Sequence, residues 1–243
     1  MPKQLQQLLA EVFGTFVLVF VGAGAVIGFG GSADPFSFGI ALLAALYAFG
    51  EVSGGHFNPI VSLVLFLDHR MKIRDLGAYW IAQFVGAVLA GLGLLLMTSS
   101  TDVAKAATVP GQGGVRAAFF VEVFCSAIFM IIILQVTRSA AAKSTAYVAI
   151  GLTLLSTQFA SVPFSGGSQN PARSFGTALI GNKWTDFWIY LLAPLAGAIL
   201  GWLVFAVVIK GSTNLRDDFD AMRKDVGGAM GSGSSTGGGA ASS

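Results

Sequence analysis

Charged residues are scarce in this chain, at 11% of 243 positions against 54% hydrophobic. A soluble globular domain carries about 25%, so most of the surface built here faces lipid. Lys and Arg outnumber Asp and Glu by only 14 to 12, and no basic run stands out; nucleic acid is not an expected partner. Cysteine occurs once, at Cys125 in an apolar run. One thiol excludes an intrachain disulfide, and its simplest role is a small buried hydrophobe. No metal-ligand spacing, catalytic constellation or cofactor motif is present, so neither an enzyme nor a metal or cofactor site is expected. Nor is a cleavable leader expected. Lys3, an apolar stretch and Ala23-Gly24-Ala25 imitate one, but Glu11 lies inside the stretch and the apolar run continues through Gly31.

What the chain has is long apolar runs and 32 glycines. Small residues let transmembrane helices approach closely. A spanning helix needs about 20 mostly apolar residues. Reading between charges predicts six spans: Leu8–Gly30, a rather short Phe36–Gly50, Leu76–Ser100, Ala117–Thr137, Ser144–Val162 and Phe187–Ile209. Two further pieces, Asn58–Leu67 and Asn170–Ile180, reach roughly 15 Å each as helices, half a bilayer. With the N-terminus inside, Lys3, Arg70, Lys72, Arg74, Arg138, Lys143, Lys210, Arg216, Arg223 and Lys224 are cytoplasmic. Only Lys105, Arg116 and Lys183 fall outside, so the positive-inside rule places both termini in the cytoplasm. Residues 211–243 turn charged and then Gly/Ser-rich, a composition that predicts a disordered tail.

Self-comparison exposes a duplication. Glu11-Val12-Phe13 recurs as Glu122-Val123-Phe124, an offset of 111. Ser53-Gly54-Gly55-His56-Phe57-Asn58-Pro59 recurs as Ser165-Gly166-Gly167-Ser168-Gln169-Asn170-Pro171, an offset of 112. Gly86-Ala87-Val88-Leu89 recurs as Gly197-Ala198-Ile199-Leu200, again at 111. The halves are about 1–101 and 114–210. Three spans per half is an odd number, so the second half enters the membrane from the opposite face. The expected architecture is an all-α membrane protein of six transmembrane helices and two re-entrant half-helices in an inverted repeat. The Asn-Pro starts then meet near the midplane, where non-helical backbone must line a cavity or be buried in protein.

Asparagine is a favoured N-cap, and proline suits the first helical position. Capping occupies the amide oxygens of Asn58 and Asn170 and leaves their NH₂ groups to donate into a pore. Each helix N-terminus adds roughly half a positive charge. Two such ends disfavour cations and orient a passing water against proton relay. Glu11 and Glu122, inside their spans, are either interfacial carboxylates or acceptors for backbone N–H groups of the half-helix loops. His56 is either a solvated loop residue or a brace. Arg173 either snorkels to the outer interface or faces polar surroundings inside.

From about Leu8 to Lys210 the sequence resembles the aquaporin (major intrinsic protein) family. The resemblance rests on Glu11-Val12-Phe13-Gly14-Thr15-Phe16, on Ser-Gly-Gly-His-Phe-Asn-Pro at 53–59 and on Asn-Pro-Ala-Arg-Ser at 170–174. It implies a homotetramer with one pore per subunit in a plasma or inner membrane. It also implies loop support from Glu11, Glu122, His56, Pro59 and Pro171, and an outer filter containing Arg173. The other filter positions fall on Phe38, Gln158 and Gly167, which stand 20 residues before Asn58 and 12 and 3 before Asn170. Phe38 and Ser174 fit water-selective members. Gln158 stands where such members usually have His, Gly167 offers no side chain, and Tyr190-Leu191 lacks the family's tryptophan. Ile60 replaces a common alanine, which either narrows the central constriction or repacks it. The expected function is passive conduction of water, with some small neutral solutes, while protons and ions are excluded. The alternatives are a wider glycerol- or urea-type facilitator and, more distantly, an inverted-repeat secondary transporter. Against the transporter, the paired asparagines provide no carboxylate at the midplane for ion coupling.

Overall fold

The structure is a computed structural model describing residues 1–138, 143–211, 220 and 223–226. Its described helices are α1 (Lys3–Phe29), α2 (Asp34–Ser53), α3 (Pro59–Leu67), α4 (Ile73–Met97), α5 (Ser100–Lys105), α6 (Gly114–Val136), α7 (Lys143–Ser165), α8 (Pro171–Gly181) and α9 (Trp188–Val204). A π-helical turn, Phe205–Ile209, extends α9. Six helical stretches are long and apolar enough to span a bilayer. The chain is an integral membrane protein, and α3 and α8 are the two short helices expected from the Asn-Pro starts.

Each half repeats one packing scheme. Helix α1 packs on α2 and α4, and α6 packs on α7 and α9. The halves join through α2 against α7. Helix α3 also packs on α6 and α9 of the other half, while α8 packs on α4 and α1. The short helices therefore cross between halves. Equivalent glycines sit at close helix approaches. A Cβ on Gly86 would lie 2.3 Å from the Val12 carbonyl oxygen, and one on Gly197 would lie 2.4 Å from that of Val123. Neither position tolerates a side chain without separating two helices.

The polarity pattern suits lipid outside and a polar interior. Leu96, Phe29 and Val208 are 89%, 83% and 73% exposed, whereas Glu11, Glu122, Gln83 and Gln169 are fully buried. At one end, buried Asp68 pairs with Arg70 at 2.6 Å and with Lys210. Arg70 also donates to Thr137 Oγ1 (2.8 Å) and to the Leu134 carbonyl (3.0 Å). This cluster ties the end of α3 to α6 and to the residue that follows the last span.

One expectation shifts. The second span is not short: it covers Gly31–Ser53, 23 residues, with Pro35 in the first turn of α2. Treating Asp34 as a boundary truncated it, but Asp34 is buried and ion-paired. The connection between α4 and α6 contains α5, whose N-cap Ser99 and Asp102 form a reciprocal capping box. The expected disordered tail falls mostly outside the described residues. Within it, residues 223–226 are helical, and Asp225 Oδ2 accepts from the Ile73 N–H at 3.1 Å.

Candidate functional site

The two loops preceding α3 and α8 are built alike. Glu11 Oε1 accepts from Ser53 Oγ (2.6 Å) and the His56 N–H (3.0 Å), and Oε2 accepts from the Phe57 N–H (2.7 Å) and Gln83 Nε2 (2.8 Å). Glu122 Oε1 accepts from Ser165 Oγ (2.6 Å) and the Ser168 N–H (2.7 Å), and Oε2 from the Gln169 N–H (2.7 Å). Of the two readings left open for these glutamates, the geometry is that of loop acceptors. A buried carboxylate needs such donors. Phe57 and Gln169 both adopt φ of 49°, a left-handed conformation uncommon for side-chain-bearing residues. Their N–H bonds to the glutamates help hold that turn. Tyr79 and Tyr190 complete the match, each donating from its hydroxyl at 2.8 Å to the carbonyl of Ser53 or Ser165.

The asparagines come next along each loop. Asn58 Oδ1 accepts from the Ile60 N–H, and Asn170 Oδ1 from the Ala172 and Arg173 N–H groups. Pro59 and Pro171 occupy the first helical position. The NH₂ groups are not wholly free, which corrects the simplest expectation. Asn58 Nδ2 donates to the Gln169 carbonyl at 2.7 Å, and Asn170 Nδ2 to the Phe57 carbonyl at 2.9 Å. One N–H of each amide thus joins the half-helix loops across the repeat, leaving a second N–H per amide. Both asparagines line a long cavity.

That cavity, with its open mouths, holds about 560 Å³. Asn58, Asn170, His56, Gln158, Ser168 and Arg173 contribute to its polar wall, and Leu18, Phe38, Val61, Phe129, Ile150 and Leu154 to the apolar one. His56 is buried rather than solvated. Its Nδ1 meets Ser62 Oγ at 2.9 Å, and its ring packs 4.9 Å from that of Tyr79.

Arg173 does not snorkel; it is 1% exposed. Its guanidinium carbon lies 4.4 Å from the Phe38 ring centroid, Nη1 donates to the Ala106 carbonyl at 3.0 Å, and Nη2 meets Asp34 Oδ2 at 3.1 Å. Phe38, Gln158 and Arg173 converge on the cavity, but Gly167 is not among its lining residues. Gln158 Nε2 donates to the Gly167 carbonyl at 3.2 Å, and a Cβ on Gly167 would stand 1.9 Å from Gln158 Oε1. The space expected from the missing side chain is filled by the glutamine amide. Ile60 is fully buried and also absent from the lining, which favours repacking over constriction. Ser174 Oγ lies within 2.9 Å of Thr108 Oγ1 and 2.6 Å of Ser168 Oγ.

Sequence reasoning missed Asp34 and the Ala106 carbonyl. The signal for Asp34 was available: a carboxylate one helical turn before Phe38, in a first turn that also holds Pro35.

Two half-helices meeting through their N-cap asparagines, inside a bundle of six spans, define an inverted-repeat channel. Comparison with known proteins agrees. The major intrinsic protein family matches residues 1–205. The chain is 38% identical over 226 residues to Aquaporin Z of Brucella melitensis, covering 85% of this chain and 97% of that protein. It is 37% identical to glycerol uptake facilitator protein-like 6 of Lactiplantibacillus plantarum, covering 86% and 99%. It is 34% identical to Aquaporin NIP1-1 of Oryza sativa subsp. japonica, covering 88% and 78%. The fold superposes on the aquaglyceroporin from Plasmodium falciparum with a TM-score of 0.76 at 22% identity, covering 85% and 97% of the two chains. The chain belongs to the major intrinsic protein family, whose members are passive channels rather than enzymes.

Proposed function

We propose that this chain conducts water down osmotic gradients and excludes protons and ions. The observation that carries the reading is the pair of N-cap asparagines, bonded across the repeat, that line one cavity through the bundle. The asparagine donors and the positive half-helix ends orient a central water that accepts from both sides, which interrupts proton relay along the file. Arg173, Phe38 and Gln158 form the outer filter, with Gly167 acting through its carbonyl on Gln158. Glu11, Glu122 and His56 fix the loops.

The channel unit is residues 1–210, with halves of about 1–101 and 114–210, and 211–243 is a cytoplasmic tail. Both termini face the cytoplasm of a plasma or inner membrane, and the unit assembles as a homotetramer.

A slower passage of urea or glycerol is supported by one observation. The wall that a histidine ring fills in many water-selective members is here an amide able both to donate and to accept. Stopped-flow light scattering on proteoliposomes, with an impermeant osmolyte and then with urea and glycerol, tests both parts. Osmotic shrinkage at the rate of protein-free vesicles rejects the water channel. Solute entry at the lipid background rejects the broader filter.

A further inference from the structure

Beside Arg173 stands a carboxylate that the channel chemistry described so far does not use. Asp34 opens α2 and is 3% exposed. Its Oδ2 meets Arg173 Nη2 at 3.1 Å, while Asp34 Oδ1 and Arg173 Nε find no partner among the described residues. One contact therefore joins two buried, oppositely charged groups. The other restraints on the guanidinium are the Ala106 carbonyl and the face of Phe38, a weaker electrostatic anchor.

We propose that Asp34 is a specificity-determining positioning residue of the filter. It holds the Arg173 guanidinium against the channel wall and cancels its charge, so the outer constriction is close to electrically neutral. Two consequences follow, both resting on the channel reading given above. First, Arg173 is not simply a positive barrier here. Removing it uncovers a buried carboxylate, whose unpaired charge is strongly felt in a poorly solvated passage. Cations should then enter because Asp34 is present. Second, without Asp34 the guanidinium keeps its charge but loses its lateral tether. It moves toward the lumen and obstructs solutes larger than water more than water itself.

The test uses the full-length protein in proteoliposomes, with osmotic water flux, urea entry and potassium flux measured on each variant. In Asp34→Asn, which preserves shape but leaves only a neutral acceptor and so weakens the tether, the urea-to-water permeability ratio falls several-fold and potassium flux stays at the unmodified level. A purely structural role would lower both permeabilities together and leave their ratio unchanged. In Arg173→Val, potassium flux rises several-fold, and adding Asp34→Asn returns it to the unmodified level although the arginine is still missing. A double variant that leaks as much as Arg173→Val, or no leak in either, overturns the proposal. Should Arg173→Val fail to assemble, the ratio in Asp34→Asn decides: a fall supports the proposal and an unchanged ratio overturns it. If the unmodified protein does not accelerate water flux, the channel reading itself has failed, whatever the Asp34 variants do.

Discussion

Replacing Glu122 by glutamine tests whether the carboxylates hold the half-helix loops. Glu122 takes three hydrogen bonds, two of them from backbone N–H groups of Ser168 and Gln169. Ser165 is adaptable, since its hydroxyl can rotate to accept. The two N–H groups cannot. They lie opposite different carboxylate oxygens, so whichever way a glutamine amide turns, its NH₂ faces one of them donor to donor. The orphaned N–H costs about 1–3 kcal/mol, and the remaining bonds weaken because their acceptor is no longer charged. We expect about 2–5 kcal/mol of local destabilisation, concentrated on a turn where Gln169 is held at φ of 49°. Relaxation there moves Asn170 and its bond to the Phe57 carbonyl. In detergent, Glu122→Gln should unfold at a lower temperature than the unmodified protein. In proteoliposomes it should conduct less water per assembled channel. Unchanged thermal stability together with unchanged water permeability would refute the bracing argument.

Further expectations concern packing and the filter. Gly86→Leu and Gly197→Leu should each abolish assembly, because even a Cβ would come within 2.3 and 2.4 Å of backbone oxygens; size-exclusion chromatography checks this, and a well-assembled variant would contradict it. Tyr190→Phe removes the bond to the Ser165 carbonyl and should cost about 1 kcal/mol, seen as a small fall in thermal midpoint with the water-to-urea selectivity kept. Gly167→Thr places a side chain where Gln158 Oε1 now sits and at φ of 61°, so alone it should destabilise the fold. Combined with Gln158→His it should be better tolerated and should suppress urea entry more than water flux; a double variant with unchanged urea-to-water ratio would show that Gln158 does not set the aperture.

Much of this architecture was legible because it is written twice. Glu11 and Glu122, Asn58 and Asn170, and Gly86 and Gly197 recur at nearly one offset, and in the structure each pair occupies matching places. Apolar length located the spans and the two half-helices, but it cut the second span short. What escaped were contacts between segments with no local signature. Asp34 looked like the end of an apolar run because its partner, Arg173, lies 139 residues away. The Ala106 carbonyl belongs to the connection between α4 and α6, where no side chain marks a backbone oxygen as a partner of Arg173. Gly167 promised open space, yet whether a neighbour fills it depends on the rotamer of Gln158, which no spacing rule determines. The asparagine amides were read correctly as N-caps, while their bonds to the opposite loop required both halves to be in place.

The central claim is that opposed, clamped asparagines pass water while breaking proton relay, and a paired flux measurement on one preparation tests it most directly. Proteoliposomes containing the unmodified protein are subjected in parallel to an osmotic step and to a proton gradient reported by an internal pH dye. The account predicts osmotic shrinkage well above that of protein-free vesicles, with proton entry no faster than theirs. Proton entry that rises with the amount of channel, in step with water permeability, would contradict it.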